Sequence, residues 1–308
     1  MSACRRGNMA SRRCGYTGIE PFRISGVTTG MERLWFITNP GSGSTTKAKC
    51  DALEAVFEER GLTLVGRTEF PAEELPKGAS LTRKKVDTVV LFAGDGTINT
   101  TLCALETWKG SFLILPGGTM NLLAKSLHDT LDPKTIIEAA HDETTRVALP
   151  FIEAGAHRGF VGLILGPATA WFRAREAARK GAIRKLFQAA HVAWNRTFGG
   201  SGIRIGGVPA LKDKYQAVFV RPEGKELHVA AVDARDWGSI VQLGWEWLTG
   251  DWVAAHAVSE SLTDELRTTG KKPVLALFDG EPVSLAPGTA VTAGMSREVF
   301  IATKAALG

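Results

Sequence analysis

The sequence predicts an α/β domain built on a parallel sheet, followed by a mainly β half. Three observations carry this. From Met31 to about Leu149, short apolar runs alternate with helical patterns, the order that a parallel sheet with crossover helices requires. Three of those runs stop at glycine-bearing loops, residues 39–44, 94–97 and 116–119, and ligand loops of such sheets lie at the carboxyl ends of strands. After Leu149 the alternation gives way to short strand-like runs joined by turns.

The elements follow in order. Residues 34–38 read as a buried strand, ending in the first loop. A helix follows, with Leu53, Val56 and Phe57 on one face and Gly61 as its stop. Residues 62–68 form the second strand. Pro71, Pro76 and Gly78 make any helix over residues 71–85 weak. Next come a strand over 88–92, the turn Ala93-Gly94-Asp95-Gly96-Thr97, a helix from Ile98 to Leu105 and a strand over 112–115. The third loop opens a helix from Met120 to Leu127, and Asp132-Pro133 supplies the N-cap and first position of another. In the second half, residues 215–221, 227–232, 274–278 and 299–303 read as strands, and residues 237–248 as a helix. The expected division is an α/β domain over 31–148 and a β-rich domain over 149–305. Residues 1–30 are arginine-rich, with no acidic residue before Glu20. They read as a disordered extension or the product of an upstream start codon.

Composition narrows the function. The 308 residues are 44% hydrophobic and 22% charged, with a formal net charge of +5, which is ordinary for a soluble globular protein. The mild charge fits an anionic ligand or membrane surface, whereas nucleic-acid binding requires a denser basic face. Cys4, Cys14, Cys50 and Cys103 form no C-x-x-C pair, and the histidines show no metal spacing. A reducing, cytoplasmic compartment fits best. No apolar stretch approaches ~18 residues, so no transmembrane helix is expected.

The loops suggest chemistry. A strand that ends in Gly-Asp-Gly and turns into a helix makes a phosphate-sized hollow, because glycines let backbone N–H groups face an anion and the helix N-terminus adds positive charge. Asp95 in that loop suits a site that also handles a metal, a hydroxyl or a ribose, which points to phosphoryl transfer. A single glycine after a strand is usually only a turn, but three such loops along one sheet edge can touch one nucleotide. The N–H groups of Gly117, Gly118 and Thr119 are expected to hold phosphate oxygens. Asp279-Gly280 alone reads as a hairpin turn. Such a turn can present Glu281 to a cleft, where a carboxylate can accept an alcohol proton.

Together these stretches resemble the lipid kinase family that contains diacylglycerol kinases, sphingosine kinases and bacterial lipid kinases. Asn39-Pro40-Gly41-Ser42-Gly43 resembles the family's Asn-Pro-x-Ser-Gly, and Ala93-Gly94-Asp95-Gly96-Thr97-Ile98-Asn99 its Gly-Gly-Asp-Gly-Thr-x-Asn. Pro116-Gly117-Gly118-Thr119-Met120-Asn121 resembles its Pro-x-Gly-Thr-x-Asn, and Asp279-Gly280-Glu281 its Asp-Gly-Glu. The resemblance runs from residue 31 to about 305. It implies a Rossmann-like first domain, similar to those of NAD kinases and phosphofructokinases, and a β-sandwich second domain. ATP, accompanied by Mg²⁺, would lie between them. It implies nucleotide contacts at Asn39, Pro40, Gly41, Ser42, Gly43 and Thr68, at Gly94, Asp95, Gly96, Thr97, Ile98 and Asn99, and at Gly117, Gly118, Thr119 and Asn121. Glu281 would be the base, with Asp279 beside it. The counterpart of Asp95 in sphingosine kinases is itself discussed as the base, so the choice between Asp95 and Glu281 stays open.

Three departures stand out. Ala93 replaces the family's first glycine. The family's Asp-x-Gly segment at the start of the second domain has no aspartate here, and Glu153 lies one position away. The bacterial turn linked to a structural magnesium reads Pro222-Glu223-Gly224-Lys225-Glu226-Leu227, which leaves Glu223 as the only replacement ligand and places Lys225 against a cation. Residues 168–198 interleave arginines and lysines with Trp171, Phe172, Phe187 and Trp194. That pattern suits either a helix on an anionic bilayer or a helix packed on its own protein. The expected activity is transfer of the γ-phosphate of ATP to a membrane-lipid hydroxyl, diacylglycerol first and a sphingoid base or ceramide second. The expected partners are a membrane lipid and a peripheral membrane surface, without nucleic acid, and a homodimer is open. An NAD kinase shares the Gly-Asp-Gly-Thr loop but not the pattern at 116–121. A catalytically silent nucleotide- or lipid-binding module is the rival from another class.

Overall fold

The computed structural model describes residues 22–23, 30–43, 45–142, 145–166, 202–232 and 258–304. The basic aromatic run at 168–198 and the helix expected at 237–248 lie outside the described residues. The first sheet contains β1 (Phe22–Arg23), β2 (Arg33–Thr38), β3 (Thr63–Glu69), β4 (Thr88–Ala93), β5 (Ser111–Pro116), β6 (Thr145–Ala148) and β18 (Val299–Ala302), in the order β1-β6-β18-β5-β4-β2-β3. From β3 to β18 neighbouring strands are parallel, and β6 and β1 add an antiparallel edge. Two pairings cross the boundaries read from sequence. Phe22–Arg23, within the stretch read as an extension, pairs with β6. The last strand leaves the β-rich half and inserts between β5 and β6.

The helices are α1 (Lys47–Glu59), α2 (Gly78–Arg83), α3 (Asp95–Ala104), α4 (Leu122–Leu127) and α5 (Pro133–Asp142). Leu53, Val56 and Phe57 of α1 are buried, as the periodicity requires, and pack with Ile136 and Ile137 of α5 against one face of the sheet. Gly61 follows α1 with φ +68°, a left-handed position that suits glycine after a helix. Asp132 caps α5, its carboxylate accepting the Thr135 N–H at 2.9 Å. α3 starts three residues earlier than the apolar pattern indicates, because Asp95 and Gly96 already turn helically after an extended Gly94. α4 starts two residues later, since Asn121 sits in the left-handed region at φ +50°.

The second half forms two antiparallel sheets. One has the order β10 (Ile205–Gly206), β14 (Glu265–Thr268), β17 (Ala290–Met295), β7 (Pro150–Ala154), β8 (His157–Gly159). The other has the order β13 (Val258–Thr263), β12 (Glu226–Val232), β11 (Ala217–Glu223), β9 (Leu163–Leu165), β15 (Val274–Phe278), β16 (Glu281–Leu285). They share a core that includes Ile152, Leu165, Val218, Leu266 and Val291. The parallel-sheet domain followed by antiparallel sheets is the fold class read from sequence. A further core joins the halves, with Ile98, Leu122 and Phe300 packing in one cluster with Phe160, Ile164 and Phe219. The chain crosses between them twice. Ser296 stitches the crossings: its N–H donates to Leu149 O at 2.8 Å, and its hydroxyl accepts the Leu149 N–H at 2.9 Å. Among the described residues no helix is long and apolar enough to cross a membrane.

His128 locks the end of α4 to the sheet. Its ring nitrogens lie 2.8 Å from Thr303 Oγ1 and 3.0 Å from Ile114 O. Burial lowers its pKa from 6.5 to about 4, because the charged ring loses its hydration. The unfolded chain therefore binds the proton first as pH falls, so this stability is present above about pH 6.5 and is lost toward pH 4. Lowering the pH from 7 to 5 should cost about 2 kcal/mol through this group. His128→Gln should flatten that part of the profile in denaturant unfolding. A variant that keeps the full wild-type slope would refute the assignment.

Candidate active site

The three loops meet at the carboxyl ends of β2, β4 and β5, and their backbones nearly touch. A Cβ on Gly118 would lie 2.6 Å from Gly94 Cα, and one on Gly117 would lie 2.5 Å from Ala93 N. No side chain fits in either place. Ala93 is buried at the end of β4 and pairs in register with Pro116; its φ is not positive, so the exchange for glycine costs no left-handed strain. Side chains complete the join. Ser42 Oγ accepts the Gly94 N–H at 3.1 Å, the Thr45 hydroxyl donates to Gly117 O at 3.0 Å, and Asn39 Nδ2 donates to Thr97 Oγ1 at 2.7 Å.

This packing corrects one expectation. The Gly117 N–H donates to Ala93 O at 3.2 Å and the Gly118 N–H to Asn121 Oδ1 at 2.8 Å. Both donors hold the loop together and do not face an anion. Asn121 makes its own turn and opens α4. The Gly41 N–H likewise donates to Asn39 Oδ1 at 2.8 Å. The end of the site without a side-chain cap is instead the first turn of α3. That ten-residue helix has no side-chain cap, so the N–H groups of Gly96 and Thr97 stand at the positive end of its dipole.

A cavity of about 500 Å³ opens there. Gly96, Thr97, Asn99 and Thr100 line one side, and Glu281, His157, Arg158 and Phe278 line the other. Glu281 sits directly on α3: a Cβ on Gly96 would lie 2.5 Å from its Oε1. Phe70, Pro282 and Val283 add apolar wall. The tight β15–β16 hairpin, with Phe278 paired to Glu281, makes this approach. Its turn residues Asp279 and Gly280 have φ +48° and +89°, as a two-residue hairpin loop requires. The turn reading and the cleft reading of Asp279-Gly280-Glu281 therefore hold together.

The two aspartates differ from Glu281. Asp279 turns inward. Its carboxylate accepts three successive N–H groups, from Phe160 at 2.7 Å, Val161 at 2.9 Å and Gly162 at 2.9 Å. It anchors the turn to the loop before β9 and does not line the cavity, which corrects its placement beside the reacting groups. Burial pushes its carboxyl pKa up against those hydrogen bonds. Asp95 accepts the Leu122 N–H at 3.0 Å and so tethers the start of α4. Burial raises its pKa from 3.8 to about 7, the neighbouring Asp279 adds to this, and N–H groups of residues 121–123 oppose it.

Other predicted residues have clear places. Thr68 is buried, its hydroxyl accepting from the Trp35 indole at 3.0 Å. Ile98 is core, whereas Pro40, Gly43 and Thr119 are exposed at the loop tips. Asn99 Nδ2 donates to Arg158 O at 2.7 Å and so bridges the two halves. Glu153 is exposed on β7 and does not line the cavity. Glu223 is exposed in the β11–β12 turn, 3.8 Å from His228 Nδ1, and among the described residues no group of three His, Cys, Asp or Glu side chains could hold a metal. Sequence reasoning missed Arg158. Its guanidinium pairs with the buried Glu298 and lies 5.1 and 5.0 Å from the rings of Phe151 and Phe160. No local signal marks it, since its partner stands 140 residues away.

Known proteins are similar to this chain. Residues 33–149 match the family described as the diacylglycerol kinase catalytic domain. A protein of Streptococcus pneumoniae serotype 4 named "Putative lipid kinase" is 31% identical over 119 residues, which is 37% of this chain and 38% of that protein. The match thus spans well under half of that relative's length. A crystal structure of a diacylglycerol kinase from Bacillus anthracis superposes with a TM-score of 0.61 at 14% identity, covering 91% of this chain and all of that one. That likeness shows the fold. The family resemblance read from the motifs is borne out.

Two variants separate holding from acting. Asp279→Ala should destabilise by about 3 kcal/mol or more, since three N–H groups lose their acceptor. Asp95→Asn should act in the opposite sense. A carboxyl whose folded pKa lies above its unfolded value gives stability at low pH that is lost as pH rises through about 7. At pH 8.5 Asp95→Asn should melt above wild type, and the gap should narrow by pH 5 and close below about pH 4. A lower melting temperature for Asp95→Asn at pH 8.5 would contradict the burial argument.

Proposed function

We propose, from the premise that residues 33–149 match the diacylglycerol kinase catalytic domain, that this protein is an ATP-dependent lipid kinase with Glu281 as its base. The single observation that carries the reading is the Glu281 carboxylate seated on the first turn of α3, in one cavity with Thr97 and Asn99. An N-terminal helix turn suits transferring phosphate oxygens. A carboxylate within that cavity is placed to take the proton of an acceptor hydroxyl as the oxygen attacks phosphorus. Asp95 is the weaker candidate for base, because its carboxylate already holds α4 and lies outside the main cavity.

The residues present fit the groups the family implies. The uncapped α3 turn and the hydroxyls of Thr97 and Thr100 suit a phosphate chain. Among the described residues Glu281 is the carboxylate that lines this cavity, an oxygen ligand of the kind that Mg²⁺ takes when phosphates complete its coordination. Bound with ATP, the ion neutralises phosphate charge. Apolar walls from Phe70, Phe278, Pro282 and Val283 favour a lipid acceptor, with diacylglycerol as the leading acceptor and a sphingoid base or ceramide second.

Phosphate transfer from labelled ATP should be measured with dispersed diacylglycerol, sphingosine, ceramide and NAD. Lipid product with diacylglycerol is expected, and NAD should stay unlabelled. Glu281→Gln should cut turnover by roughly 10²-fold or more while sparing ATP binding. Activity above a tenth of wild type in that variant would remove Glu281 from the role of base.

A further inference from the structure

A second cavity lies away from Glu281. This cleft of about 570 Å³ separates the turn between β14 and β15 from the segment entering β10. Arg204, Lys214, Lys271 and Lys272 line it, with Ile203 and Leu275 among its apolar wall, and no carboxylate among its described lining residues. All four cations are exposed, and none forms an ion pair with a described residue. Gly270, at φ +111° with open space around it, lets the turn project Lys271 and Lys272 into solvent.

Four like charges around one hollow repel one another and create a local field that concentrates anions. The hollow is not polar throughout. Ile203 packs against the core shared by the two antiparallel sheets, so the wall is the edge of that core. A small soluble anion would be held best by short, fixed donors. Long lysine stems above an apolar wall suit a bilayer surface, where anionic headgroups adjoin hydrocarbon.

We propose that this cleft docks the protein on anionic phospholipid headgroups of a bilayer. It is distinct from the reaction cavity. β15 begins at the cleft with Val274 and Leu275 and ends at the reaction cavity with Phe278. Four residue steps separate Val274 from Phe278, roughly 13 Å along a strand. A protein seated by the cleft keeps its reaction cavity within about that distance of the headgroups. The link to catalysis rests on the lipid kinase reading, whereas the docking itself does not.

The test is sedimentation of the full chain with vesicles of phosphatidylcholine alone and with 30% phosphatidylglycerol. Binding should appear only with phosphatidylglycerol and should fall steeply with salt. Lys271→Ala with Lys272→Ala should weaken it by roughly twenty-five-fold, since each cation near an anionic surface contributes about fivefold. The Lys→Arg pair should retain binding and so controls for folding. With a short-chain, water-dispersed acceptor the double alanine variant should turn over like wild type, and with vesicle-borne acceptor its apparent KM should rise. Equal binding to both vesicles, or unchanged binding by the double alanine variant, overturns the proposal. A protein that binds phosphatidylglycerol vesicles through Lys271 and Lys272 yet transfers no phosphate upholds the docking site and sinks the kinase reading.

Discussion

One buried carboxylate holds the candidate site in register. Asp279 collects the N–H groups of Phe160, Val161 and Gly162. By doing so it fixes the β15–β16 turn on the loop that enters β9. Two residues on, the same turn delivers Glu281 to Gly96. The position of Glu281 therefore depends on a neighbour that takes no part in the cavity. A hydrogen-bonded carboxylate in a buried nest is directional and costly to disturb, which suits it to positioning.

The first domain meets this turn with an equally rigid surface. Its three loops are joined by contacts between backbones, and Gly117 and Gly118 allow an approach that any Cβ would block. Their N–H groups are largely spent on one another. The free polar face is therefore the first turn of α3, and the glycines serve mainly to bring that turn forward. Asn99 extends the contact across the cleft to Arg158, and the Ser296 stitch ties the two chain crossings. The halves meet as a single packed core with a cavity at its edge.

Asp95 and Asp279 show why two carboxylates in glycine-bearing motifs need not share a role. Each is buried and each has a raised pKa. One tethers a helix and the other a turn. Glu281, by contrast, reaches the cavity. Within this site, therefore, orientation separates the acid groups that hold from the one that lines the cavity.

The sequence alone determined the alternation of β2 to β5 with their helices, because apolar periodicity and glycine stops are local. It also determined the loops at 39, 94 and 116 and the hairpin at Asp279, because turn chemistry is written in neighbouring residues. The ends of α3 and α4 shifted since Gly94 and Asn121 take conformations that apolar patterns do not encode. Tertiary structure decided the rest. The insertion of β18 beside β5, the pairing of Arg158 with Glu298, the inward turn of Asp279 and the Gly117 donor to Ala93 all join residues far apart in the chain. Such contacts depend on how layers pack, and no local propensity records them.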